Sequence, residues 1–391
     1  MRILVVHNRY RSGQPSGEDR VVDQEIALLT DAGHEVTTFL RHSDDIAGLP
    51  LAARAAVPLR VPWNRAVRAE LTSRLRRERP DVVHVHNTFP LLSPSVLAAC
   101  GDAGAPVVAT LHNYLRVCPT GTLFRDGALC TDCAGRLPLP AVRHGCYRDS
   151  RLATVPLAVN LTVNRHRWAS GVARFLCISD AQRQLLIAAG MSPWRLAVKH
   201  NFVPDPGKYR NGAGEHVLYL GRLADTKGVP LLMAAWDALA AAGGIGVPLV
   251  LAGGGPLAET VAQWAAGRAD VRYVGLLDRD ACRELTARAC AVVAPSTWPE
   301  AFGLVVVEAM AAGVPVVAAA HGAFPELVDD GETGLLHRPG DATELASALR
   351  RVTVPQWNLQ LGEAARRRYE KDFTPAVALD RLLSAYGSVL A

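Results

Sequence analysis

Two glutamates flank the start of an apolar helical pattern in the last third of the chain. Glu300 and Glu308 bracket Phe302-Gly303-Leu304, and apolar residues recur at helical spacing beyond them. The pattern predicts that the helix begins near Phe302, which leaves the amides of Phe302, Gly303 and Leu304 ready to bind an anion. Carboxylates beside such a helix start can hold the hydroxyls of sugar rings. Two solvated glutamates on an ordinary helix are a simpler interpretation, but the residues between them are apolar.

A second candidate site is formed by four cysteines with the spacing C-x11-C-x2-C-x12-C: Cys118, Cys130, Cys133 and Cys146. The central Cys-x2-Cys suits zinc, and a loop of about 35 residues (113–148) needs a metal ion or another cross-link to be ordered. We therefore expect a structural zinc with four cysteine ligands. A disulfide pair or free thiols are the alternatives.

Two further motifs resemble cofactor or metal sites but have simpler explanations. Gly253-Gly254-Gly255 precedes Pro256 and lacks the G-x-G-x-x-G spacing of a dinucleotide fingerprint, so a tight turn into a helix explains it better. Asp278-Arg279-Asp280 resembles a metal-binding Asp-x-Asp. It directly precedes a helical pattern, and we predict that it caps that helix.

Short apolar strands alternating with helices must position these residues. The predicted strands cover 3–6, 36–40, 81–86, 106–112 and 175–179 in the first half, and 216–220, 248–252, 271–274, 291–295 and 315–319 in the second. Such alternation is typical of parallel sheets with helices on both faces. The two prolines and the glycine within 201–207 indicate a linker between two such domains. Ligands would bind in a cleft between the carboxyl ends of the two sheets.

Composition restricts the class of protein. The chain has 391 residues, of which 49% are hydrophobic and 20% charged, as in a soluble globular protein of two domains. A secretory signal and a membrane-spanning helix are not expected, because Met1–Val6 is too short an apolar run and Leu304–Ala320 is interrupted by Glu308. We expect a cytoplasmic protein, whose cysteines are thiols or metal ligands.

Positive charge is concentrated in the first half of the chain. Residues 1–203 hold 25 Lys+Arg and 16 Asp+Glu, a net of +9, and residues 51–80 alone hold eight arginines and two glutamates. Such a basic amphipathic stretch can lie on an anionic membrane surface, at the inner face of the membrane, or attract a phosphate-bearing substrate. A solvated helix face is the alternative.

Several motifs of the second half, in this order, resemble glycosyltransferase family 4. They are Gly221–Gly228, Ala252–Pro256, the Glu-x7-Glu of 300–308 after Ala294-Pro295-Ser296, the following Ala-Met-Ala-Ala-Gly-Val-Pro-Val-Val, and Gly331–Leu335. The resemblance implies retaining enzymes of the GT-B fold: two Rossmann-like, doubly wound parallel-sheet α/β domains facing across a cleft. It implies an acceptor-side domain over 1–203 that includes loop 113–148, a nucleotide-sugar domain over 204–370, and a helix over 371–391 that packs back on the first domain.

The resemblance also assigns roles to residues of the second half. Arg222 and Lys227 would bind the donor diphosphate and stabilise the charge that develops as the sugar departs, without a metal ion. Glu308 would bind the donor ribose and Glu300 the donor sugar. The amides of Phe302, Gly303 and Leu304 would meet the sugar and phosphate, and the backbone at Val274 would meet the nucleobase.

In the first half the resemblance rests on the loop Ser12–Glu18 and on Thr110-Leu111-His112-Asn113. It makes His112 the candidate beside the donor sugar, although Asn113 stands where the family usually has Asp. His84 and His86 are alternatives. Gly17 fits the loop that approaches the donor phosphate or the acceptor, without the adjacent glycine pair common in the family.

The sequence therefore predicts a retaining, metal-independent glycosyltransferase that uses a nucleotide diphosphate sugar. UDP with N-acetylglucosamine or glucose is our interpretation of the donor, and the acceptor is a glycan, a lipid-linked glycan or a small molecule. No nucleic-acid partner is expected. Alternatives are a sugar-nucleotide epimerase or hydrolase on the same fold, and a non-catalytic nucleotide-sugar binding subunit.

Overall fold

In the computed structural model, described for residues 1–13 and 16–390, the chain forms two compact units. The first comprises 1–125, 129–200 and the carboxyl-terminal residues from Ala378, and the second comprises 126–128 and 201–377. Gln14 and Pro15, which belong to the Ser12–Glu18 loop, lie outside the described residues.

The first unit is built on a six-stranded parallel sheet in the order β2-β1-β3-β4-β7-β8. Its strands are β1 (Arg2–Arg9), β2 (Glu35–His42), β3 (Val82–Val85), β4 (Val107–Leu111), β7 (Arg174–Cys177) and β8 (Leu196–Val198). The short strands β5 (Phe124–Arg125) and β6 (Ala128–Leu129) lie in the cysteine-containing segment. β3 and β4 are apolar along most of their length and buried throughout, as strands covered on both faces must be.

The helices of the first half vary widely in length. They are α1 (Gly17–Asp31), α2 (Asp45–Gly48), α3 (Leu51–Ala55), α4 (Val57–Arg60), α5 (Arg65–Glu78), α6 (Ser95–Ala103), α7 (Leu139–His144), α8 (Arg151–Gly171) and α9 (Asp180–Ala188). The carboxyl-terminal helix α17 (Pro375–Leu390) also contributes to this unit. Its Leu382, Ala385 and Tyr386 join a buried cluster that contains Ile3 and Val5 of β1.

The second unit contains a six-stranded parallel sheet in the order β11-β10-β9-β12-β13-β14. Its strands are β9 (His216–Leu220), β10 (Leu249–Ala252), β11 (Val271–Tyr273), β12 (Ala289–Ala294), β13 (Val316–Ala319) and β14 (Gly334–His337). Its helices are α10 (Val229–Ala241), α11 (Ala258–Ala265), α12 (Arg279–Arg288), α13 (Leu304–Ala311), α14 (Phe324–Leu327), α15 (Ala342–Val352) and α16 (Pro355–Asp372). This strand order is that of a Rossmann fold.

The predicted alternation of strands and helices is confirmed, and the two parallel sheets give the GT-B class of architecture. Two strands of the six-stranded sheets, β8 and β14, were not predicted, and neither was the short pair β5 and β6. Asp278 caps α12 as expected, because its Oδ1 accepts a hydrogen bond of 2.8 Å from the amide of Ala281. Within residues 1–13 and 16–390, no helix combines the length and apolarity needed to cross a bilayer.

Candidate functional site

The second unit carries its candidate site where the strand order of its sheet reverses. β9 and β12 are neighbours in the sheet, although β10 and β11 separate them in sequence. Doubly wound sheets bind ligands at the carboxyl ends of the strands on either side of such a switch point. Lys227 follows β9 and Glu300 follows β12, so both belong to this edge.

A glycine fixes the turn that carries Lys227. Asp225–Lys227 form one turn of 3-10 helix, and Gly228 closes it with a φ of +72°. A Cβ atom on Gly228 would lie 1.9 Å from the carbonyl oxygen of Pro295, directly after β12. A backbone hydrogen bond of 3.0 Å joins the same two loops. The turn after β9 is thus held against the loop after β12, which brings Lys227 to Glu300.

Lys227 and Glu300 form an ion pair in which Nζ lies 2.5 Å from Oε1. The hydroxyl of Ser296 donates to the same oxygen over 2.8 Å. Burial alone would raise the pKa of Glu300, but the Lys227 ammonium and the hydrogen bonds to the carboxylate hold that pKa below its ordinary value. Glu300 is therefore a carboxylate at neutral pH, stabilised by the cation that was predicted to bind the donor phosphate.

Arg222 lies on an exposed turn beside this pair in sequence, and its backbone is firmly held. The hydroxyl of Tyr219 donates to its carbonyl oxygen over 2.7 Å. Gly253 follows β10 with a φ of +142°, and a Cβ there would lie 1.9 Å from the carbonyl oxygen of Gly221. The glycine run is thus a close-packed turn, as predicted. The Arg222 guanidinium makes no hydrogen bond or ion pair with any described residue, so it is available to an anion.

The helix at the Glu-x7-Glu motif begins at Leu304, so the prediction of a start near Phe302 is two residues early. Gly303 has a φ of +110°, which no helix accommodates, and a Cβ on it would lie 2.5 Å from the Phe324 ring. Phe302 is 3% exposed and its ring meets that of Phe373 edge-on. Only the backbone of Phe302 is therefore offered to a ligand, together with the free amide of Leu304 in the first turn.

The two other predicted donor contacts lie on separate elements of this unit. Glu308 is half-buried in the second turn of α13. Val274 follows β11 directly and is 38% exposed, and its amide donates to the carbonyl of Leu251 over 3.0 Å. Neither residue's role is tested by these positions, so both stay predictions.

In the first unit, His112 follows β4 and stacks on His86, which follows β3. The ring centroids lie 5.2 Å apart with planes 22° from parallel, and His86 Nδ1 lies 2.9 Å from His112 Nε2. Burial, assisted by the charge of Lys199, lowers the pKa of His112 well below its ordinary value, and burial does the same to the pKa of His86. Both imidazoles are thus neutral at physiological pH. They line one pocket together with Glu18 and Trp168.

A buried ion pair next to these histidines escaped the sequence analysis. Lys199, directly after β8, pairs with Glu25 of α1, and both side chains are at most 1% exposed. The second Glu25 oxygen lies 3.8 Å from His86 Nε2. His84 lies 3.9 Å from the same oxygen and hydrogen-bonds the Tyr386 hydroxyl of α17 over 2.8 Å. The pair joins residues far apart in sequence, which no local pattern reveals.

A metal site requires ligand atoms that lie close together. Among the described residues, one group meets this condition, with ligand atoms within 4.8 Å of one another: Glu25, His84 and His86. The Lys199 ammonium already neutralises the Glu25 carboxylate. Burial, with the charge of Lys199, lowers the pKa of His84 to about 3. We therefore interpret this group as a buried ion pair with neutral histidines.

Glu18 is a second residue whose importance the sequence did not show. It follows Gly17, the exposed first residue of α1, whose cap Ser16 accepts from the amide of Asp19. Burial raises the pKa of Glu18 to about 8, although the hydroxyl of Tyr10 donates to its carboxyl group over 3.1 Å. Glu18 lines the His112 pocket, so a carboxyl group that is protonated at neutral pH stands beside a neutral imidazole.

None of the four predicted zinc ligands forms a disulfide with any residue that the structure describes. The pKa of Cys133 is raised to about 11, mainly by burial and in smaller part by the proximity of Cys118, Cys130 and Cys146. Among the described residues, however, no three of these sulfurs form a group within 4.8 Å. The four cysteines are thus neighbours without a ligand geometry, and the zinc site stays a prediction.

Comparison with known proteins follows the same division of the chain. The family model described as Glycosyltransferase Family 4 matches residues 15–205, and the one described as Glycosyl transferases group 1 matches residues 214–353. The chain is 36% identical to the phosphatidyl-myo-inositol mannosyltransferase of Mycobacterium leprae, over 92% of this chain and 91% of the relative. It is 30% identical to the glycogen synthase of Mycobacterium tuberculosis, over 95% and 91%.

Solved structures share the fold at lower identity. Anabaena HepE in complex with UDP-glucose is 21% identical, with a TM-score of 0.68 over 99% of this chain and 100% of that one. The sucrose-phosphate synthase of Thermosynechococcus elongatus is also 21% identical, with a TM-score of 0.70 over 98% of both chains.

Proposed function

This chain belongs to glycosyltransferase family 4 and is a nucleotide-sugar glycosyltransferase of the GT-B type, and from that premise we propose that it transfers a sugar from a UDP-sugar to an acceptor hydroxyl with retention of configuration. The observation that carries the proposal is the Lys227–Glu300 pair at the switch point of the second sheet. This ion pair supports the proposal because a cation able to bind a phosphate contacts a carboxylate able to bind sugar hydroxyls.

The donor residues divide by chemistry. Arg222 and Lys227 bind the diphosphate, and Arg222 brings a guanidinium that no described residue engages. Glu300 accepts hydrogen bonds from the donor sugar and Glu308 from the ribose. The backbone at Phe302, Gly303 and Leu304 adds amide donors at the start of α13, and the backbone at Val274 meets the base.

The donor identity follows from the relatives as a proposal. HepE was crystallised with UDP-glucose, which makes UDP the first nucleotide and glucose, with N-acetylglucosamine, the first sugar to test. The relatives named above differ in what they glycosylate, so the acceptor class stays open between glycans, lipid-linked glycans and small molecules.

Retention requires that the new bond forms on the face of the sugar from which the phosphate leaves. The acceptor oxygen bonds to the anomeric carbon while the bond to the diphosphate oxygen breaks, and the acceptor proton passes to the departing phosphate. Arg222 and Lys227 stabilise the charge that develops on the diphosphate, which needs no metal ion. Glu300 is already engaged by Lys227, so we assign it to positioning the sugar. His112 takes part as a neutral hydrogen-bonding imidazole.

Thermal unfolding of the full chain with a panel of nucleotides tests the donor proposal. Melts are recorded with UDP, GDP, ADP and dTDP, and with UDP-glucose and UDP-N-acetylglucosamine, all in EDTA. Binding to the folded state raises the melting temperature, and we expect the UDP compounds to do so. Glu308→Ala should abolish the shift, whereas Glu363→Ala, at a glutamate 73% exposed on α16, should keep it. No shift with any nucleotide would refute the donor site.

Product analysis separates the transferase from its alternatives. An epimerase or hydrolase would convert UDP-sugar without an acceptor at full rate, and a binding subunit would leave it unchanged. We expect slow hydrolysis that accelerates when a suitable acceptor hydroxyl is supplied, and a glycoside with the anomeric configuration of the donor.

A further inference from the structure

The longest helix of the first unit exposes an apolar stripe. On α8, Leu152, Val155, Val159 and Val163 are 84%, 40%, 41% and 51% exposed. Their spacing of three, four and four residues places them on one side of the helix. The opposite side, which includes Leu157, Leu161 and Trp168, is buried. An aliphatic stripe of this length normally faces a partner.

Further exposed leucines lie on the elements packed against α8 or adjoining them. Leu139 of α7 is 69% exposed, and Leu59 of α4 is 79% exposed. Both helices contact α8. Leu51 of α3, next to α4, is 84% exposed. We call this set of exposed residues on α3, α4, α7 and α8 the α8 surface.

Arginines lie on or beside the same helices as the α8 surface, and acidic residues are scarce there. Residues 133–171 contain six arginines and a single acidic residue, Asp149. The exposed arginines of the surface and its edges make no ion pair with any described carboxylate: Arg54, Arg60, Arg143, Arg148 and Arg151. On α5, Arg68 pairs with Asp102, and Arg74 and Arg77 pair with Glu78, whereas the exposed Arg65 and Arg76 pair with no described carboxylate. Part of the unneutralised charge of 51–80 therefore lies on α3 and α4, beside α8.

We propose that the α8 surface binds an anionic lipid bilayer. Exposed aliphatic side chains beside unpaired arginines are the composition of an interfacial helix, whose apolar side enters the headgroup region while its cations meet lipid phosphates. A second copy of the chain fits poorly, because a two-fold contact would set arginines against arginines without carboxylates to pair them.

The α8 surface is also close to the proposed chemistry of the first unit. The buried side of α8 contributes Leu157 and Leu161 to a groove that also contains Phe89. That groove shares Leu115 and Arg116 with the His112 pocket. The helix that would lie on the bilayer therefore also forms part of the wall of a groove that adjoins the His112 pocket.

Vesicle co-sedimentation of the full-length protein tests the proposal. Vesicles of phosphatidylcholine mixed with phosphatidylglycerol should bind the protein, and vesicles of phosphatidylcholine alone should bind it at least about tenfold more weakly. Added salt should weaken the binding, because it screens the arginines. Val159→Asp/Val163→Asp should lower binding to the mixed vesicles at least about tenfold.

The control is Val354→Asp, which places the same residue at a valine 52% exposed in the second unit and should leave vesicle binding unchanged. Because the donor site lies in the other unit, all variants should keep the melting shift with UDP, so failure of this proposal is distinct from failure of the donor proposal. No binding to mixed vesicles, or equal binding by both variants, would overturn it. So would concentration-dependent dimerisation that Val159→Asp/Val163→Asp abolishes without any vesicle binding, since the occupant would then be a second copy.

Discussion

Replacing Lys227 with methionine is the sharpest test of the switch-point site, because it removes the charge and keeps most of the chain length. The ammonium contacts Glu300 in the structure and is 33% exposed, so an entering phosphate can share it. A hydrogen bond to a charged group contributes about 1.5–3 kcal/mol. We therefore expect the Kd for UDP to rise by about 10- to 150-fold in Lys227→Met.

The variant should still fold. Lys227 is 33% exposed but Glu300 only 12%, so removing the ammonium leaves a mostly buried carboxylate that keeps its hydrogen bond from Ser296, and we expect the free energy of unfolding to fall by about 1–3 kcal/mol. Urea unfolding should show this loss for Lys227→Met, with its cooperative transition kept. Lys208→Met is the matched control, because Lys208 pairs with Glu284 in the same unit while both side chains are more than half exposed. We expect it to change neither UDP affinity nor stability appreciably.

Isothermal titration with UDP, and with UDP-glucose, measures the two affinities directly. A Kd for Lys227→Met within about threefold of the parent value would show that the ammonium serves only Glu300 and not the donor phosphate. Equal weakening by Lys208→Met would point to general surface charge. Either result would refute the assignment of Lys227 as a phosphate ligand.

Four further predictions follow from particular contacts. Lys199→Met should destabilise the fold by about 3–5 kcal/mol in urea unfolding, because Glu25 is left buried without its cation. The double variant Lys199→Met/Glu25→Leu should recover most of this loss. A small effect of the single variant would contradict the buried ion pair. Burial raises the pKa of Glu18 from 4.5 to about 8, so the contribution of its protonated form to stability is present below about pH 4.5 and is lost as the pH rises through about 8. The melting temperature should therefore fall across this pH range, and it should fall less in Glu18→Gln. Identical pH profiles of the two proteins would contradict the raised pKa. Gly228→Ala should cost at least about 1–3 kcal/mol and weaken UDP binding, because its Cβ would clash with Pro295; unchanged titrations would show that the turn adapts. The sequence prediction of a zinc site requires that the metal draws the four neighbouring sulfurs together, so metal analysis should find about one zinc per chain that Cys133→Ser removes. A zinc-free protein with four titrating thiols would refute the site.

The sequence predicted the sheets well because buried parallel strands are short apolar runs. β14 was missed because it begins with Gly334 and ends with His337, and β8 because its three apolar residues lie directly between Arg195 and Lys199. The start of α13 was misplaced by two residues, since a glycine with positive φ cannot be distinguished from a helical glycine by periodicity.

For the donor site, the sequence predicted which residues take part but not which of them contact one another. Lys227 and Glu300 were given to different parts of the donor, whereas the structure joins them in one ion pair. That contact depends on Gly228, whose missing side chain allows the loops after β9 and β12 to touch. The pairing of Glu25 with Lys199 spans 174 residues and carries no local signal.

The carboxyl-terminal helix has a consequence for how this protein is made. Tyr386 and Leu382 belong to the buried cluster that holds Ile3 and Val5, so the first unit lacks part of its core until residues 382–386 have been translated. A nascent chain that has emerged as far as residue 200 therefore keeps apolar surface exposed while the entire second unit is synthesised. Truncation after Val377 should accordingly yield a product that depends on chaperones or is degraded, although it keeps all residues of the second unit.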